Sequence, residues 1–206
     1  MPDGTKFTRS DYKNDLFSIV INVPVTYPPE KINGIMITGL LTPPKARLFT
    51  YPSNLADEIL RKIPGYVTDV PLNFRDKAMK DIRDGYQVIK RLAVSHFAAF
   101  KFLATNYDWD VLCYIDTSLD RLLHVGYHET KLVKSHLLVL DRFLGKILDI
   151  ITSCIADLIL VSDHGFGPHD QIFNLAKWLV MKGYMKRKRR IKKVFKKRLL
   201  RIAIRL

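Results

Sequence analysis

Two Asp–His pairs are the residues of this sequence whose types and spacing suit metal-assisted chemistry. Asp163 and His164 stand side by side in the stretch VSDHGFGP, residues 161–168. Asp120 and His124 are four positions apart in DRLLH, so both side chains share one face if this stretch is helical. A carboxylate oxygen with an imidazole nitrogen suits zinc, manganese or iron. Two such pairs above one sheet would suit a two-metal centre for phosphoryl displacement, with ions about 4 Å apart.

The same residues also have ordinary structural interpretations. Asp and His are frequent in loops at strand ends, and an Asp and a His four residues apart on a helix can form an exposed ion pair. Four ligands are also few for two ions, because a catalytic metal usually takes about three protein ligands. His128 and His169 are the nearest candidates to fill the shortfall, although solvent-facing histidines are the simpler interpretation.

The elements that must position these pairs alternate between apolar strands and amphipathic helices. Continuous apolar runs predict strands at 18–23, 111–115 and 156–161, the last two fully buried. Apolar residues at helical spacing predict helices at 54–62, 76–106, 129–151 and 174–183. This alternation predicts an α/β fold with a mainly parallel sheet flanked by helices. Ligands bind beyond the carboxyl ends of such strands, and each Asp–His pair follows a predicted buried strand.

Length and composition are those of one domain with a real core. The chain has 206 residues, of which 48% are hydrophobic. No window reaches the roughly 18 uninterrupted apolar residues of a membrane span, and the N-terminal residues 1–15 are polar, without a secretory apolar stretch. We therefore expect a cytoplasmic protein.

The positive charge is concentrated at the C-terminus. The net charge is +14, but 12 of the 34 lysines and arginines lie in residues 186–206, which leaves 22 basic and 20 acidic residues elsewhere. We therefore divide the chain into the predicted α/β domain, residues 1–185, and a basic amphipathic helical tail or insertion, residues 186–206. Its apolar positions fall three or four residues apart: Ile191, Phe195, Leu199, Ile202 and Leu206.

Three interpretations of residues 186–206 remain open. The favoured interpretation is a solvated helical insertion whose apolar stripe packs on protein segments outside the given sequence. The basic stripe could also lie on an anionic membrane surface or contact nucleic-acid phosphates. The alternative function of the chain is accordingly that of a non-catalytic basic module that binds membrane or nucleic acid through this segment.

Several stretches together resemble the type I phosphodiesterase/nucleotide pyrophosphatase family of the alkaline phosphatase superfamily. They are NVPVTYPPEKINGIMITG, DRLLH, VSDHGFGP and FNLAKWLVMKGYM. The resemblance implies an alkaline-phosphatase-like core and a phosphoester or nucleotide-type substrate. It also implies that Asp120 and His124 bind one divalent ion while Asp163 and His164 bind a second, with zinc expected and manganese or iron as alternatives.

The sequence departs from that family pattern at both ends. Such enzymes have an upstream Asp and a Thr or Ser nucleophile, and a further His downstream, and we expect this chain to represent the central portion with an incomplete core. Thr26, Thr38 and Ser162 do not match the nucleophile motif, so no catalytic residue is assigned. We therefore expect low activity from the chain alone, with a complementing polypeptide as a possible partner.

Overall fold

A four-stranded sheet lies at the centre of the fold. Its strands are β1 (Ser18–Val23), β2 (Gly34–Thr38), β3 (Thr50–Tyr51) and β4 (Val111–Tyr114). They are ordered β3-β2-β1-β4, with β1 parallel to both β2 and β4, and β3 antiparallel to β2. With helices packed on this sheet, the predicted α/β class with a mainly parallel sheet is confirmed.

The two central strands, β1 and β2, place paired isoleucines on a fully buried face of the sheet. Ile19 and Ile21 of β1, and Ile35 and Ile37 of β2, have no solvent exposure. Each fully buried side chain of this size stabilises the fold by about 1.5–3 kcal/mol. Parallel strands covered on both faces read as continuous apolar runs, which is why the sequence predicts β1 correctly.

The described residues form six helices. They are α1 (Leu55–Lys62), α2 (Phe74–Ala78), α3 (Ile82–Asn106), α4 (Ser118–Gly126), α5 (Thr130–Cys154) and α6 (Leu175–Met181). One apolar cluster joins the sheet to α1 and the C-terminal half of α3, and a second joins α2, the N-terminal half of α3 and α4. No helix in the part of the chain that the structure describes is long and apolar enough to cross a membrane.

The computed structural model describes residues 16–43, 46–71, 73–168 and 173–186. The chain divides into two units, the first ending at Phe166 and the second beginning at Gly167. Among the described residues, the first unit contains the sheet and α1 to α5, and the second contains α6. The predicted tail lies outside the described residues except for Lys186, so its helical structure stays a prediction.

The single helix predicted over 76–106 is wrong in one respect, because the structure has two helices there. α2 ends at Ala78, and Asp81 starts α3 by accepting hydrogen bonds from the backbone N–H groups of Arg83 and Asp84. This cap competes with helix continuation. The two helices touch at Gly85, where an added Cβ would lie 2.5 Å from that of Ala78.

The C-terminal part of the first unit is more exposed than the sequence predicts. Residues 156–161 were expected to be a buried strand, but they form no strand, and Ile159, Leu160 and Val161 are 84%, 74% and 78% exposed. β4 is partly exposed because it forms the sheet edge. On α5 only His136 is fully buried: Leu137 and Leu148 are 46% and 47% exposed, while Leu132 and Ile147 pack partly buried against the core clusters. An apolar run becomes a strand only when another strand pairs with it.

Candidate metal centre

The first Asp–His pair lies on α4, so the condition under which the two side chains share one face is met. Asp120 is in the first turn of the helix and His124 in the last. Asp120 Oδ1 lies 3.3 Å from His124 Nε2, and the two side chains are 38% and 63% exposed. Leu122, on the opposite face, is fully buried against α3, and this contact sets which face of α4 reaches solvent. We call Asp120 and His124 the α4 pair.

The second pair lies on an exposed loop. Asp163 Oδ2 is 3.5 Å from His164 Nε2. His164 Nδ1 lies 2.8 Å from the carbonyl oxygen of Gly165. Because a carbonyl can only accept, Nδ1 carries the proton, and Nε2 of the neutral ring keeps a free lone pair beside the Asp163 carboxylate. We call Asp163 and His164 the loop pair.

The donor spacing within each pair fits a shared metal ion. Zinc bonds to nitrogen and oxygen measure about 2.0–2.2 Å, so two ligands of one tetrahedral ion lie about 3.4 Å apart. The separations of 3.3 Å in the α4 pair and 3.5 Å in the loop pair are close to this value. Each pair is therefore spaced like two ligands of a single ion.

An aromatic contact joins the loop to α4. The ring of Phe166 packs edge-on against His124, with centroids 5.1 Å apart, and lies 5.6 Å from the ring of Tyr127. The hydrogen bond to Gly165 is the largest cause that raises the pKa of His164, followed by the charge of Asp163, with a smaller effect from Asp120. Within the described ranges no three His, Cys, Asp or Glu side chains converge. The structure thus assembles each pair and links their elements, without a three-ligand cluster.

The base of α4 is held by an ion pair that the sequence did not indicate. Arg121 Nη2 donates to both carboxylate oxygens of Asp69, at 2.7 and 2.9 Å. Asp69 also accepts from the backbone N–H groups of Leu41 and Val70. The two charged residues are 52 positions apart and lie on no shared periodic pattern, so sequence reasoning had no signal for their contact.

A second polar cluster lies beneath the first turn of α4. It comprises Asp116, Ser118 and His136, and it connects the end of β4 to α4 and α5. His136 has no solvent exposure, and burial lowers its pKa, so its ring is neutral near pH 7. One signal for it was available in the sequence, since His136 lies four residues from both Leu132 and Leu140, which belong to the apolar spacing that predicts the helix at 129–151.

A further buried imidazole lies on α3. His96 Nε2 hydrogen-bonds the carbonyl oxygen of Val67 at 2.8 Å, and its ring lies 5.7 Å from that of Tyr66. Burial lowers the pKa of His96, while the bond to Val67 opposes this shift. Its hydrogen bond is to the backbone, so we assign it to the core.

The remaining candidates have structural roles in the described residues. Thr26 and Thr38 donate hydrogen bonds to the carbonyl oxygens of Val23 and Phe49. Ser162 donates to the carbonyl of His164 and so shapes the loop. His128 is exposed and lies beyond the end of α4, so it does not extend the α4 pair. His169 lies outside the described residues.

Comparison with known proteins bears on the whole chain. A family model described as Type I phosphodiesterase / nucleotide pyrophosphatase matches residues 4–205, a range that includes both Asp–His pairs. No curated protein and no solved structure gives a significant match. The family resemblance predicted from the sequence is therefore confirmed, and the mainly parallel sheet agrees with it. The chain belongs to the type I phosphodiesterase/nucleotide pyrophosphatase family of hydrolases, within the alkaline phosphatase superfamily.

Proposed function

We propose that this chain carries the divalent-metal site of a phosphodiesterase or nucleotide pyrophosphatase. The α4 pair would hold one ion and the loop pair a second, with zinc as the expected metal and manganese or iron as alternatives. The observation that carries the proposal is the carboxylate–imidazole spacing of 3.3 and 3.5 Å in the two pairs of a chain from this family. The expected substrate is a small phosphoester of nucleotide type.

The chain's own residues would prepare the site in three ways. The carbonyl oxygen of Gly165 accepts a hydrogen bond from Nδ1–H of His164, which leaves Nε2 free to bind a metal ion. The packed face of α4 keeps the carboxylate of Asp120 beside the ring of His124. Phe166 holds the loop against α4. Bound divalent ions would supply positive charge that stabilises the phosphoryl oxygens as negative charge develops on them.

The ligand number limits the activity that we expect. Two protein ligands for each ion are about one fewer than catalytic zinc sites use. We assign no nucleophile, since Thr26 and Thr38 are engaged in hydrogen bonds to the backbone. We therefore expect slow turnover or none from the chain by itself, and a complementing polypeptide would be the partner that completes each ion's ligands.

Calorimetric titration with Zn²⁺ and with Mn²⁺ tests the proposal. We expect two ions for each chain, and one ion in Asp120→Ala and in Asp163→Ala. Asp157→Ala and His128→Ala are matched controls, because both residues are exposed and neither belongs to a pair. They should bind as the unaltered chain does.

Two results would contradict the assignment. One is an unaltered chain that binds neither metal, and the other is an equal loss of binding in the control variants. Hydrolysis of bis(4-nitrophenyl) phosphate, compared with a blank that contains metal alone, measures activity separately. Fast turnover would disprove our expectation that the chain by itself hydrolyses this substrate slowly or not at all. It would not contradict the metal assignment.

A further inference from the structure

Three side chains at the base of α4 form a hydrogen-bonded chain, in which Ser118 and His136 are buried and Asp116 is partly buried. His136 Nε2 lies 2.7 Å from Ser118 Oγ, and Ser118 Oγ hydrogen-bonds Asp116 Oδ1. The backbone N–H of Ser118 donates to the same carboxylate oxygen at 2.8 Å, and the Tyr114 hydroxyl donates to Oδ2 at 3.3 Å. Ser118 is 1% exposed and His136 is fully buried. These hydrogen bonds thus connect α5, the first residue of α4 and the end of β4.

The direction of each hydrogen bond in this chain follows from the number of protons available. The Asp116 carboxylate can only accept, so the single hydroxyl proton of Ser118 points toward it. Ser118 Oγ can then only accept from His136, which places the proton of the neutral imidazole on Nε2. His136 Nδ1 is left as a buried acceptor with no hydrogen-bond partner among the residues that the structure describes. Such an orphaned acceptor costs about 1–3 kcal/mol, so packing alone is a poor reason for a histidine here.

The hydrogen-bonded chain meets α4 at Ser118, two residues before Asp120 of the α4 pair. Ser118 and Asp120 belong to the same first turn of α4. On the other side of Asp120, Arg121 is fixed by both oxygens of Asp69. With hydrogen bonds before and after it, the backbone that carries Asp120 has little freedom to rotate about the helix axis.

We propose that His136 is a positioning residue for the metal ligands of α4. Its Nε2–H fixes the Ser118 hydroxyl, Ser118 engages Asp116, and the first turn is held where Asp120 and His124 face one ion. This role rests on the metal site proposed above. Removal of an interaction that orients a ligand from outside the coordination sphere typically lowers metal affinity about 10- to 100-fold.

Titration with Co²⁺ separates this role from a merely structural one. His136→Leu fills the space but cannot donate, whereas His136→Gln retains a side-chain N–H. Relative to the unaltered chain, we expect about 10- to 100-fold weaker Co²⁺ binding in His136→Leu, with an altered visible absorption spectrum of the bound ion. His136→Gln should recover most of the affinity and the spectrum.

Two further variants test whether a loss of Co²⁺ affinity comes from the hydrogen bonds or from a general loss of stability. Ser118→Ala breaks the same chain from α4, so it should lose affinity as His136→Leu does, and it replaces that variant if His136→Leu fails to fold. Ile59→Val removes one methyl group from a fully buried residue of α1, in the other core cluster. It should lower the thermal midpoint without changing Co²⁺ affinity.

The outcomes distinguish the two proposals. If the unaltered chain binds Co²⁺ and both His136→Leu and Ser118→Ala bind it equally well, the positioning role is wrong while the metal site stands. Equal losses in Ile59→Val also overturn the positioning role, because the effect would then follow stability. If the unaltered chain binds no Co²⁺, the metal site itself is wrong and the positioning role falls with it.

Discussion

The α4 pair and the loop pair offer the same donor atoms on opposite kinds of support. α4 is fixed by the fully buried Leu122, by the Asp69–Arg121 ion pair and by the hydrogen bonds of Ser118. The loop pair is exposed, and its hydrogen bonds are made to its own neighbours, such as the bond from His164 to Gly165. Phe166 connects this loop to α4.

This difference determines which pair loses more conformational entropy when it binds a metal ion. Ligands that are held by packing and hydrogen bonds before the ion arrives lose little conformational entropy when they bind it. Ligands on an exposed loop must be ordered by the ion and by whatever the loop contacts. We therefore expect mutations beneath α4 to act on the fold, and mutations in the loop to act mainly on local order.

Among the substitutions that compare the supports of the two pairs, the largest effect should come from the ion pair beneath α4. Asp69→Ala leaves the Arg121 guanidinium, whose side chain is 23% exposed, without its partner. It also leaves the backbone N–H groups of Leu41 and Val70 without their acceptor. Loss of one member of such a partly buried pair should lower the free energy of unfolding by about 3 kcal/mol. Urea unfolding monitored by circular dichroism measures the change.

Asp163→Ala is the matched control for that experiment. The Asp163 side chain is 88% exposed, so the same substitution should change stability by less than about 0.5 kcal/mol. Equal destabilisation by the two variants would show that the loop is as firmly built into the fold as α4. The comparison between the two pairs would then fail.

A smaller effect is expected at the contact between the loop and α4. Phe166→Leu removes ring contacts with His124 and Tyr127, each of the kind worth about 0.5–1.5 kcal/mol. Since Phe166 is 37% exposed, we expect a loss near 1 kcal/mol. A double-mutant cycle with Tyr127→Leu should show a coupling of about 0.5–1 kcal/mol.

Hydrogen exchange gives the same contact a local readout. In Phe166→Leu the backbone amides of 162–166 should exchange faster, while those of α4 stay protected. Phe173→Leu is the control, because it removes another aromatic ring pair, with Trp178 in the second unit. Unchanged exchange of 162–166 in Phe166→Leu would mean that the loop is ordered by other contacts.

Much of the fold was predictable because local pattern and final burial agree there. The apolar run of β1 and the helical periodicity of α3 and α5 each identify an element that the structure contains. The four-residue spacing of Asp120 and His124 likewise predicts their shared face, and the structure confirms that proximity. In each case the information lies within a few residues.

The missed features depend on contacts between distant parts of the chain. Nothing local indicates that Asp69 meets Arg121, or that His136 reaches Ser118 across 18 positions. The proton on His164 Nδ1 depends on the position of one carbonyl oxygen, which residue types do not specify. Residues 156–161 show the reverse error, since their pattern is that of a strand but no strand pairs with them in the described structure.

The smallest effect tests that correction directly. Leu160 is 74% exposed, so Leu160→Ser should change the free energy of unfolding by no more than about 0.5 kcal/mol. The same substitution at Leu103, which is fully buried on α3, should cost at least about 3 kcal/mol, because it leaves a cavity and buries a hydroxyl. Guanidinium unfolding of the two variants gives both numbers. A loss of 2 kcal/mol or more in Leu160→Ser would mean that residues 156–161 are covered in solution and that the sequence prediction of a buried strand was correct.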